Sequence, residues 1–179
     1  MKAEKWQLVS RVELLKHPRM HLVEDTVTLP DGKKAEYLRQ APAKTHSVAV
    51  LAINDKGELL LQKEYSYPPD EVMWQLPGGG TIGGETVEES ANRELAEESG
   101  YNARTCKSLG FLYTNNRRSD EKQYIVICTN LYAKEADADP EEFIETHWVP
   151  LAEVKTMMTT GEMHNMNLLA ALGLYFANN

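Results

Sequence analysis

Hydrophobic and polar positions divide this chain into a strand-rich first part and a second part where strands alternate with helices. In the first 44 residues, Trp6 to Glu13 and His21 to Leu29 are rich in Val, Leu and Thr and read as strands. Pro30-Asp31-Gly32 supplies a turn into Ala35–Gln40, so the segment is expected to form a hairpin. Pro42 with the following Ala-Lys reads as a junction. Beyond it, Ser47 to Ile53 is an almost unbroken apolar run, the pattern of a strand buried on both faces. Asn54-Asp55-Lys56-Gly57 turns the chain, and Glu58 to Tyr65 returns beside it.

The period changes after Trp74-Gln75-Leu76. A glycine cluster, Pro77 to Gly84, leads into Thr86–Ser99, where Val87, Ala91 and Leu95 recur every fourth residue and predict one apolar helix face. Thr86 and Glu89 have the spacing of a capping box, and Gly100 suits the left-handed residue that ends a helix. Strands are expected at Lys107–Tyr113, Gln123–Leu131 and Thr146–Val149, with an acidic loop at Lys134–Glu145. Helices are expected from Pro150 and at Asn167–Ala177. A mixed sheet flanked by helices fits this order, an α/β class. Two parts are drawn: an N-terminal β region, 1–44, and a second domain, 45–179.

Composition narrows the partners. The chain of 179 residues is 42% hydrophobic and 26% charged, as in ordinary globular proteins. Its formal net charge is -8 and no basic stripe runs along it, which argues against a nucleic-acid groove binder. No run reaches the ~18 apolar residues of a membrane span, and the N-terminus lacks the apolar core of a signal peptide. A cytoplasmic location with no membrane partner is the expectation. Cys106 and Cys128 fit no zinc spacing and are expected as free thiols, one disulfide being the alternative.

Glu94, Glu97 and Glu98 stand at helical positions i, i+3 and i+4, on one face of the helix. Such a run is ordinarily a solvated surface whose like charges repel by a few tenths of a kcal/mol. Here glycines precede it and Arg93 stands beside it. Backbone can then approach a bound phosphate closely, while the guanidinium fork orients a carboxylate. Oxygen ligands without Cys or His suit Mg2+, with Mn2+ possible chemically.

The spacing of these residues resembles the Nudix hydrolase signature. Gly79, Glu85, Arg93, Glu94, Leu95, Glu97, Glu98 and Gly100 fall at its positions, with five residues between Gly79 and Glu85 and seven between Glu85 and Arg93. Tyr101 departs from it, standing where the pattern has an aliphatic residue. The resemblance implies a Nudix-type α/β/α sandwich with a mixed sheet, plus the N-terminal antiparallel β region. It also implies Glu94 and Glu98 as principal metal ligands, assisted by Glu97 and the carbonyl of Gly78. Gly79, Glu85 and Arg93 would support the site structurally. The catalytic base would come from Glu97 or from Glu141 or Glu142 of the acidic loop.

Leu59–Gly79 and Ser119-Asp120-Glu121-Lys122 extend the resemblance to hydrolases of ADP-ribose and nucleoside diphosphate sugars. That group implies a homodimer formed through the N-terminal strands. Its substrate would be a nucleotide sugar, cleaved to a nucleoside monophosphate and a sugar phosphate. ADP-ribose and GDP-mannose are the leading test substrates. Ser66 replaces a frequent Arg, and Asn115-Asn116-Arg117 replaces Ser-Pro-Gly. Arg117, Arg118, Tyr65 and Trp6 are the candidates for substrate contact. The alternatives are a nucleoside triphosphate or RNA-end pyrophosphohydrolase, and a non-catalytic module that senses a ligand.

Overall fold

The computed structural model describes residues 3–134 and 143–178. The chain forms two compact units, one of Met1–Lys44 with Tyr113–Glu121, the other of Thr45–Leu112 with Lys122–Asn179.

The first unit is an antiparallel three-stranded sheet, β1 (Gln7–His17), β2 (Met20–Thr28) and β3 (Lys34–Gln40), with β2 in the centre. The predicted turn closes it: the Gly32 N–H donates to the Leu29 carbonyl at 2.9 Å, and Gly32 takes φ 84°, a left-handed value that favours glycine. Arg11 on β1 lies opposite Asp25 on β2, and its guanidinium donates to both carboxylate oxygens at 2.5 and 2.7 Å. The segment Tyr113–Glu121 joins this unit by the Gln40 N–H to the Arg118 carbonyl and by Arg39 to Asp120 at 2.7 Å.

The second unit is the α/β/α sandwich. One sheet has the order β4 (Ser47–Ala52), β8 (Lys122–Ala133), β7 (Tyr101–Tyr113), and the other β6 (Glu71–Gln75), β5 (Glu58–Ser66), β9 (Glu145–Pro150). β4 and β8 run parallel, whereas β5 pairs antiparallel with both neighbours. Strand alternation sorts the core into two layers. Val48, Val50, Ala52, Leu60 and Val126 pack with Ala91 and Leu95 of α1 (Val87–Ser99). Ala49, Leu51, Leu59, Leu61 and Ile125 face Val154 and Met157 of α2 (Leu151–Thr160), and Leu168 and Leu172 of α3 (Met166–Asn178). Burying each Val, Leu, Ile or Met among them contributes about 1.5–3 kcal/mol, so both helical layers are held by apolar area.

Three features differ from the sequence reading. β7 begins at Tyr101, six positions before the expected Lys107, because Gly100 at φ 71° ends α1 and turns the chain directly into the strand. Its first residues, Asn102-Ala103-Arg104-Thr105, carry no apolar alternation to announce it. Glu71–Gln75 forms a full strand where only a lead-in to the glycines was visible. Cys106 and Cys128 are joined as a disulfide, since neighbouring strands bring their Cα atoms to 4.3 Å. A separation of 22 residues along the chain gives no hint of that proximity.

Candidate active site

The site is built on α1 and on the glycine segment that faces it. The Thr86 hydroxyl accepts from the Glu89 N–H, and the Glu89 carboxylate accepts from the Thr86 N–H at 2.8 Å, which starts the helix at a fixed residue. The Gly100 N–H donates to the Ala96 carbonyl and ends it. With both ends fixed and Ala91 and Leu95 buried, the rotation of the helix is set. That rotation presents Glu94 and Glu98 toward the glycines, with Glu97 held beside Glu94 by Arg93.

The glycine segment is fastened to β4. Val48 N–H donates to the Gly79 carbonyl at 2.9 Å and Val50 N–H to the Pro77 carbonyl at 2.8 Å. Any side chain at Gly78 would run into the Val48 carbonyl, and φ there is 154°. At Gly79 an added Cβ would lie 2.6 Å from Glu94 Oε1, so glycine is what lets the carboxylate rest against backbone. The Gly78 N–H donates to Glu98 Oε2 at 3.1 Å. Among the described residues no donor is bonded to the Gly78 carbonyl.

Arg93 organises the acidic side chains. Its guanidinium donates to Glu94 and Glu97, each at 2.9 Å, to the Gly80 carbonyl at 2.8 Å, and more loosely to Glu85 at 3.3 Å. Burial alone would push its pKa down; hydrogen bonds and charge from Glu85, Glu94 and Glu97 outweigh that and leave it raised. Glu85 is held below the usual carboxylate range, first by the Ser90 hydroxyl at 2.8 Å and then by Arg93.

Two residues of this network escaped the sequence reading. Gln62, 3% exposed on β5, donates to Glu98 Oε2 at 2.9 Å. Its only signal was a polar residue following directly on the run Leu59-Leu60-Leu61. Ser90 is fully buried under Glu85, and nothing in its sequence context marks it.

Among the described residues, no three acidic or imidazole groups already converge on one point as a closed metal cage. Arg93 spans Glu94 and Glu97 instead, while Gln62 and Gly78 hold Glu98. The donor set nonetheless fits a hard divalent cation: three carboxylates and a carbonyl, oxygen throughout, beside glycines that leave room for close approach. Glu141 and Glu142 lie outside the described residues.

The other candidates fall in both units. Tyr65, half exposed on β5, donates its hydroxyl to Asp70 at 2.7 Å. Trp6 belongs to the first unit and meets Tyr37 edge-on at 5.8 Å. Arg117 and Arg118 line a cavity of about 260 Å3 in that unit with Tyr37 and Arg39. Arg118 is engaged by the Leu38 carbonyl at 3.0 Å and by the Tyr37 ring, whereas the Arg117 guanidinium has no partner among the described residues.

Comparison with known proteins agrees with this architecture. The NUDIX domain pattern matches residues 43–171. The chain is 26% identical to an ADP-ribose pyrophosphatase of Bacillus subtilis (strain 168), over 96% of its own length and 93% of that protein's. It is 28% identical to the ADP compounds hydrolase NudE of Escherichia coli (strain K12), over 93% and 89% of the two chains. A crystal structure of an ADP compounds hydrolase shares the fold, with a TM-score of 0.91 at 23% identity, covering 99% of this chain and 95% of that one. With the domain pattern spanning most of its length, this chain is a member of the NUDIX family of hydrolases.

Proposed function

We propose that this protein hydrolyses the pyrophosphate linkage of a nucleoside diphosphate sugar of the ADP-ribose type, using Mg2+ or Mn2+. The products are a nucleoside monophosphate and a sugar phosphate. The observation that carries the reading is the meeting of Glu94 and Glu98 with the Gly78-Gly79 backbone, with Arg93 tying Glu97 to Glu94 and Gln62 holding Glu98. Full-length similarity to enzymes named for ADP-ribose and ADP compounds supports the substrate class.

In this reading Glu94, Glu98 and the Gly78 carbonyl hold the cation, with Glu97 assisting. The bound ion would neutralise the pyrophosphate and make water a better nucleophile. Gln62 aims Glu98, and Arg93 restrains Glu94 and Glu97 against their mutual repulsion. A carboxylate takes the proton of the attacking water. Glu97, Glu141 and Glu142 are the candidates. Of the predicted substrate contacts, Arg117 is the cation whose guanidinium has no partner among the described residues.

A homodimer through the N-terminal strands belongs to the same proposal. It is supported by Leu8, Val9, Val12 and Leu14, all about half exposed on β1. So does a cytoplasmic location; among the described residues no helix is long and apolar enough to cross a membrane.

The deciding experiment is a substrate panel with Mg2+, with products separated by chromatography. ADP-ribose or GDP-mannose should yield nucleoside monophosphate and sugar phosphate. Consumption of nucleoside triphosphates alone, with release of pyrophosphate, would refute the substrate class. Binding without turnover of any nucleotide would favour the sensing module.

A further inference from the structure

A second opening meets the same two glycines from outside the carboxylate cluster. It is a cavity of about 100 Å3, and Gly78 and Gly79 form part of its wall. Ala49 and Leu168 give it an apolar floor. Its polar rim is Ser47, Gln75, Gln123, Asn165 and Asn167, and no charged residue lines it. Distant segments assemble this rim. Gln123 lies beside Ser47 in the parallel pairing of β8 with β4, Gln75 ends β6, and Asn165 and Asn167 stand at the start of α3.

The hydrogen bonding of the rim states what it can receive. Asn165 Oδ1 accepts from the N–H groups of Asn167 and Leu168 at 2.9 and 3.2 Å, and the Asn165 carbonyl accepts from Leu169 N–H at 3.0 Å. The Asn167, Leu168 and Leu169 amides of α3 are therefore satisfied internally and are not offered to an anion. Gln75 Nε2 donates to Glu64 at 2.9 Å, which leaves its oxygen as the available acceptor. Among the described residues the Gln123 and Asn167 carboxamides and the Ser47 hydroxyl have no partner. The rim thus offers neutral donors and acceptors in alternation. A phosphate requires positive charge or convergent N–H groups, and neither is present. Hydroxyl groups, each both donor and acceptor, match a carboxamide rim.

We infer that Gln123 and Asn167, with Asn165 fixed as their support, are the specificity-determining residues that receive the sugar hydroxyls of the nucleotide sugar. This rests on the hydrolase reading above and assigns the part of the substrate beyond the scissile linkage to the recess at Gly78 and Gly79. The recess then selects an uncharged polyol over a further phosphate by omitting cations.

The test compares kcat/KM for ADP-ribose, ADP-mannose and GDP-mannose with that for the methyl esters of ADP and GDP, which lack a sugar, each sugar substrate being set against the ester of its own base. The proteins are wild type, Gln123→Leu and Asn167→Leu, each checked by thermal melting. The preference of the wild type for its best sugar over the methyl ester of the same base should fall about two- to tenfold in each variant, the size of one lost neutral hydrogen bond. The fall should come from a higher KM for the sugar substrate. Should one variant fail to fold, the other, on a different element, carries the measurement. An unchanged preference in a folded variant overturns the inference. So does a change in ranking between adenine and guanine substrates with the sugar preference intact, since the cavity would then read the base. A wild type that cleaves no nucleotide sugar refutes the hydrolase reading itself, before any variant is made.

Discussion

In the proposed function Glu94 and Glu98 are the principal metal ligands, and their surroundings differ. Glu94 is nearly buried, against the Gly79 backbone and the Arg93 guanidinium; Glu98 is gripped by Gln62 and the Gly78 N–H. Replacing either carboxylate by an amide keeps its volume and removes its charge. Glu94→Gln and Glu98→Gln are therefore expected to lower Mg2+-dependent turnover about 100-fold or more, the scale of losing a metal's charge stabilisation. Circular dichroism and the melting curve should stay close to wild type. A variant that retains near-normal turnover with an intact fold would take that residue out of the proposed metal site. These glutamates were legible in the sequence because helical spacing is local and fixed. Gln62 was not, because its partner lies 36 residues away and only strand packing brings the two together.

Among the elements, α1 was readable to the residue. Its cap, its apolar stripe and its terminating glycine are all local signals, and all lie where the helix begins, packs and ends. β1 is different, because its alternation says strand but not what it pairs with. The pairing with β2 includes Arg11 and Asp25, and here pH supplies a test. The Arg11 hydrogen bond outweighs burial and holds the Asp25 carboxyl below its ordinary value of 3.8. A depressed folded pKa contributes stability that is present above the unfolded pKa and is lost as pH falls through the folded one. Arg11→Met should thus destabilise most near neutral pH, leaving a buried carboxylate without its partner. The gap between variant and wild type should narrow below about pH 4, as the carboxyl protonates in both. Urea unfolding at pH 7 and pH 3 measures it; equal gaps at the two values would show that the pair contributes nothing through ionisation.

For the molecule as a whole, the open question is assembly. Every residue of β1 is exposed, and Leu8, Val12 and Leu14 are among them. Contiguous exposed apolar residues of this kind mark association surfaces or aggregation hazards. If the proposed homodimer forms there, Val12→Asp with Leu14→Asp should shift the mass in light scattering from two chains to one, by setting charge into an apolar contact. A wild type already at the mass of one chain would dispose of the proposal. Activity of the variant would then show whether turnover needs the second copy.

The sequence by itself determined the family and the course of α1, and it singled out the carboxylates proposed for the metal site, since each is written in residues a few positions apart. It also announced the layers of the sandwich, because strand alternation and helical period are local patterns. Only the tertiary structure decided what those patterns meet: Gln62 beneath Glu98, Ser90 beneath Glu85, the bond between Cys106 and Cys128, and the carboxamide rim at Gly78 and Gly79. Those contacts join residues far apart in the chain, and their proximity depends on strand order and helix packing. The hydrolase family was therefore visible along the chain, while the groups proposed to aim its carboxylates and select its substrate come together only when the sheets are assembled.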